Sequence, residues 1–284
     1  MRRFRLIGLC LAAVFALVAL ASASASAEVT DPALYQCGAA VKNAETKHYT
    51  GKYNNKTCTE VNAKGEGKYE FEPWRVGSKE TGGKKGKIKK FKSKGKHGAN
   101  LEVYPVGGVA CTNTTDTGEF SSPKTAKNIK VIFTGCKFSS IACQSAGAAA
   151  GEIRTNPLQG EVGYLNAAEH KVGIDLTAEE GYGGVSAVFA CGSEAGEFVH
   201  LEVTGSVVGE VLPQSVNKWT NLAVIEFRQT FGKQLPEKLE GMPKDVLESG
   251  FCKAIKHSCT TEEVIQSGEE TLAEGKGETL FLKA

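Results

Sequence analysis

From Leu101 to the C-terminus, apolar residues recur at close to every second position, in short runs broken by Gly, Asn, Asp, Ser and Pro. Ile129, Val131 and Phe133 fall on one face of an extended chain. Val172, Ile174 and Leu176 alternate with Gly173 and Asp175, and Val199, Leu201 and Val203 with His200, Glu202 and Thr204. A two-residue period sends successive side chains to opposite faces, so these runs predict half-buried strands. Further strands are expected over 68–72, 186–191, 206–211, 222–229, 263–266 and 279–282. No helical period lasts more than a turn or two, and Asp31 followed by Pro32 marks a one-turn helix start. The expected class is all-β: a disulfide-tied β-sandwich or barrel with long loops and little helix.

The first 27 residues have a different pattern. Arg2, Arg3 and Arg5 precede an apolar run from Leu6 to Leu20, then small residues ending in Ala25, Ser26 and Ala27. Basic, apolar and small in that order is a secretory signal peptide cleaved after Ala27, and 15 apolar residues fall short of the roughly 20 a membrane-spanning helix needs. Cys10 follows Leu9, where lipid attachment would want a small residue. Without the leader, 31 basic residues face 32 acidic ones, and no later stretch is apolar enough to span a membrane. Net charge therefore favours neither nucleic acid nor membrane as partner. Glycine makes up about 12% of residues 28–284, against roughly 7% in an average protein, as turn-rich β domains require.

Eight cysteines follow the leader. An even number in an exported chain reads as disulfides. The count leaves connectivity open, and proximity along the chain favours Cys37–Cys58, Cys136–Cys143 and Cys252–Cys259, with Cys111–Cys191 as the remainder.

Organisation follows from composition. Residues 28–76 form an N-terminal disulfide-tied β element, and residues 99–284 the main β domain, with 28–284 able to make one unit. Between them, residues 77–98 carry Lys84, Lys85, Lys87, Lys89, Lys90, Lys92, Lys94 and Lys96 among glycines, with only Ile88 and Phe91 apolar. So little apolar surface does not offset ordering entropy, and a mobile loop is expected. As a binding element it suits a polyanion: an anionic cell-wall polymer, lipid head groups or nucleic acid. Absence of arginine and the single Phe argue against a specific nucleic-acid reader.

Reactive patterns are sparse. Thr115-Asp116-Thr117-Gly118 contains the Asp-Thr-Gly of aspartic proteases, but the chain has no second copy and the flanks are polar, so a turn is expected. Cys252, His257 and Cys259 fit no usual zinc spacing, and no metal or cofactor site is read. His200 and Glu202 share the outward face of one strand, where a carboxylate can raise an imidazole pKa; they are the candidate catalytic residues of an alternative reading, a secreted hydrolase acting on a glycan or ester. The alanines and glycines of 146–151 suggest close backbone packing, under a sheet or against the loop between Cys136 and Cys143.

The segment from Ser122 to Cys136, the Cys143–Ile153 segment and Leu158–Tyr164 resemble a family of exported, uncharacterised proteins abundant in some soil actinobacteria. The resemblance extends to Tyr49–Tyr53 with Cys58, Phe189–Gly192, Gly205–Gly209 and Pro243–Leu247, and leaves the Lys84–Lys96 run outside. It implies export and a bacterial envelope setting, and brings no activity or catalytic residue. Together these readings give a secreted or cell-surface, non-enzymatic β protein that binds a wall polymer or another extracellular partner.

Overall fold

The computed structural model describes residues 32–74, 90–95, 97–103, 107–192, 199–231, 233–253 and 264–284. Among them are nineteen strands, β1 to β19 in chain order, one 3-10 turn at Pro213–Ser215 and no α-helix. The all-β expectation holds.

The longest strand, β19 (Val264–Lys283), is shared by two curled sheets. Along its C-terminal part it pairs with β3 (Lys90–Gly95) and β16 (Trp219–Thr230). From β3 the antiparallel order runs through β6 (Asn113–Phe120), β7 (Thr125–Thr134), β11 (Leu158–Asn166), β12 (Lys171–Ala178) and β15 (Val207–Val211) to β16. Along its N-terminal part β19 pairs with β4 (Ala99–Val103) and β18 (Glu248–Lys253). Here the order runs from β4 through β5 (Gly107–Cys111), β8 (Lys137–Phe138), β9 (Ile141–Gln144), β13 (Val185–Cys191) and β14 (Val199–Thr204) to β18. Both orders return to their start, which makes each sheet barrel-like and leaves few unpaired edges. The closures are thin in places: β15 meets β16 over two residue pairs.

Alternation sets what each face carries. On β7, Ile129 and Val131 are buried while Lys130 and Ile132 are exposed. On β3, Ser93 and Gly95 are buried while Lys90, Lys92 and Lys94 are exposed. The core divides into a cluster around Val109, Phe189, Leu201 and Val203, a second around Trp74, Val172 and Val211, and a third around Ile129 and Leu158.

β1 (Ala33–Ala39) and β2 (Tyr69–Pro73) pair with each other, and β1 also pairs with the end of β19. No helical turn forms after Pro32, contrary to the start signal at Asp31 and Pro32: Ala33, Leu34 and Tyr35 are buried in a strand. Residues 40–68 are held by Asn side chains that accept from backbone N–H groups two to five residues on: Asn43 from Glu45 and Thr46, Asn55 from Thr59 and Glu60, and Asn62 from Lys64 and Glu66.

Among the described residues three disulfides are formed: Cys37–Cys58, Cys111–Cys136 and Cys143–Cys191. The first agrees with the proximity pairing. The second and third correct it, because Cys136–Cys143 and Cys111–Cys191 are not formed. Cross-strand register decides: Cys143 lies directly opposite Cys191, and the pairing of Ala110 with Lys137 brings Cys111 beside Cys136. Cys136 and Cys143 are also near, joined by a backbone hydrogen bond of 3.0 Å, yet each sulfur takes the partner on its other neighbouring strand. Cys252–Cys259 lies outside the described residues. Three disulfides accord with folding in an oxidising compartment, and among the described residues no helix is long and apolar enough to cross a membrane.

Candidate functional site

The lysine run divides at Lys90. Lys84, Lys85, Lys87, Lys89 and Lys96 lie outside the described residues. Lys90, Lys92 and Lys94 belong to β3, so the loop expected across 77–98 is a strand over Lys90–Gly95. What composition missed is that inward positions of this polar strand are small or aromatic. Phe91 packs near Phe120, with ring centroids 5.1 Å apart, and Gly118 lies opposite Phe91, where a Cβ would come 2.4 Å from the ring. Backbone pairing on both sides supplies the remaining order.

Outward, the three lysines join a larger basic face. Lys92 is in register with Thr117 on β6, and Thr117 with Lys130 on β7. Across the other edge of β3, Lys276 occupies the register position opposite Lys92. One row across four strands therefore reads Lys276, Lys92, Thr117, Lys130. Lys92, Thr117 and Lys130 are all exposed. The row beyond it pairs Lys94 with Thr115. Acidic residues flank the row: Glu119 is in register with Lys90 and 3.8 Å from Lys127, Glu152 binds Arg154, and position 274, opposite Lys94 in register, is a glutamate. Among the described residues, Lys90, Lys92, Lys94 and Lys130 make no close ion pair.

His200 and Glu202 lie on β14, half-buried on one face, while Leu201 and Val203 are buried on the other. Leu201 and Val203 belong to the first core cluster, so the two catalytic candidates are directed away from the interior.

The Asp-Thr-Gly segment is strand, not turn, running through β6. Asp116 accepts a hydrogen bond from the Ser93 hydroxyl, and burial pushes its carboxyl up to about 6. No second carboxyl contributes to that shift, so the shared-proton dyad of an aspartic protease is not assembled. The 146–151 segment does not pack under a sheet, but at its end buried Gly151 lies against the backbone of Gly135 and Cys136, at the start of the loop that leads to Cys143. It makes two tight turns, closed by Ala148 N–H to Ser145 and Glu152 N–H to Ala149, with Ala146, Ala149 and Ala150 exposed. Among the described residues no group of three His, Cys, Asp or Glu side chains is placed to hold a metal ion. Comparison of the chain with family models, curated proteins and solved structures gives no match.

Proposed function

We propose that this protein is a secreted or cell-surface, non-enzymatic binding protein that docks an anionic cell-wall polymer on the outward face of β3, β6 and β7. The observation that carries the reading is the row in which Lys92 and Lys130 stand exposed on either side of Thr117, with Lys90 and Lys94 exposed two positions to each side of Lys92. Exposed ammonium groups gathered on one face raise the local positive potential, which favours a state in which an anion lies across the row. Successive strands are about 4.8 Å apart, which spreads these positive charges over a distance that a repeating phosphate or carboxylate chain can follow. The leader sequence, the disulfides and the resemblance to exported actinobacterial proteins support the location. Lysine without interleaved aromatics supports a flexible polyanion over a specific nucleic acid.

The test is co-sedimentation of the protein with isolated cell walls across a range of salt concentrations. Binding that weakens steadily with salt agrees with the proposal. Failure to bind walls even at low salt discards it.

A further inference from the structure

A cavity of about 80 Å³ lies between the two curled sheets, lined from β4, β5, β13 and β14 on one side and β7, β11, β12 and β15 on the other. We infer that it binds the hydrocarbon end of an aliphatic molecule. Protein interiors hold few voids larger than a water molecule, and this one has room for several. Its wall is apolar, with Leu101, Val109, Phe133, Leu158, Val203 and Leu247 among the lining residues. The two hydroxyls in the lining are already engaged. Thr155 Oγ1 accepts from Val131 N–H at 3.0 Å, and Ser186 Oγ donates to the Gly205 carbonyl at 3.3 Å.

Water held there would need two to four polar partners, so the space favours carbon. The size narrows the class. A cavity of about 150 Å³ takes a benzene ring, and roughly half that volume suits a few carbons of a narrow chain. Among the described residues no charged side chain lines the cavity, so a polar head group finds no partner inside it and only the hydrocarbon end is held. The site is separate from the lysine face, whose side chains lie on the outward side of β3 and β7.

A series of linear 1-alkanols from butanol to decanol, titrated into the unmodified protein and followed through methyl resonances of Val109, Val203 and Val207, tests the inference. Affinity should rise about fourfold per added methylene and then level off once the buried end is full. Ala187→Leu, which fills the cavity from its wall, should abolish these shifts; Ala99→Val, a smaller filling change, should move the levelling point to shorter chains. Absence of shifts in the three valines throughout the series overturns the inference. So does affinity that climbs with chain length without a break, which is the signature of surface partitioning.

Discussion

Lys92 and Lys130 stand in one cross-strand row with Thr117 between them, both exposed, with no carboxylate at the intervening position. Two strand spacings put their backbones about 10 Å apart. Thr117 is thus the position at which charge on this face can be changed without removing a lysine. Thr117→Glu places a carboxylate between two ammonium groups, and opposite-charge cross-strand pairs contribute roughly 0.2–1 kcal/mol each. The variant should gain up to about 1 kcal/mol in urea denaturation and lose affinity for an anionic polymer. A loss in stability together with unchanged binding would show that the row is not an anion site.

Asp116 makes stability depend on pH. Burial raises its carboxyl from an ordinary value of 3.8 to about 6 in the folded protein. A carboxyl whose folded pKa lies above its unfolded one contributes stability that is fully present below the unfolded value and lost as pH rises through the folded one. The wild type should therefore lose about 3 kcal/mol relative to Asp116→Asn between about pH 4 and pH 7, read as the difference between their denaturation curves at each pH. A difference that is flat across this window contradicts the burial of that carboxyl.

The disulfide pattern has a direct readout. Proteolysis without reduction, followed by mass spectrometry, should recover Cys111 linked to Cys136 and Cys143 linked to Cys191. In the loop-entropy model, closing sequence separations of 25 and 48 residues contributes about 3–4 kcal/mol each. Replacing either pair by alanine should lower the denaturation midpoint by a corresponding amount.

Gly205 has φ of +82°, and a Cβ there would lie 2.1 Å from the Val246 carbonyl oxygen. The obstacle is backbone, which moves less readily than a flexible side chain. Gly205→Ala should cost about 2 kcal/mol or more in thermal or urea unfolding, whereas Gly147→Ala, with positive φ but open space around it, should cost less.

Strands were legible where apolar and polar positions alternate without interruption, as in Ile129, Val131 and Phe133 or Leu201 and Val203; Leu158–Asn166, with Gly160 and Gly163 inside it, was not read as one. The Lys90–Gly95 strand was not, because its buried positions are Ser93 and Gly95, which leave no hydrophobic alternation to read. Composition alone makes such a segment look solvated; its order comes from hydrogen bonding to β6 and β19, contacts distant in sequence. Two of the four expected disulfide pairings failed for the same reason, while Cys37–Cys58 formed as expected. Nearness along the chain puts Cys136 with Cys143, whereas register puts Cys143 opposite Cys191. Of the candidate site, the lysines themselves were visible, but the contribution of Lys130 was not, since it lies 36 positions from Lys94 and reaches the face only through β6. Its exposed place between buried Ile129 and Val131 was the available signal.

The salt dependence of binding to poly(glycerol phosphate) puts the lysine face itself to the test. Wild type, a Lys92→Ala, Lys130→Ala double variant and a Lys171→Ala, Lys244→Ala control elsewhere on the chain are compared over one salt series. If the face docks an anionic polymer, log affinity falls linearly with log salt for wild type and control, and the Lys92 and Lys130 variant binds more weakly with a shallower slope. Equal slopes and equal affinities for all three proteins would contradict it.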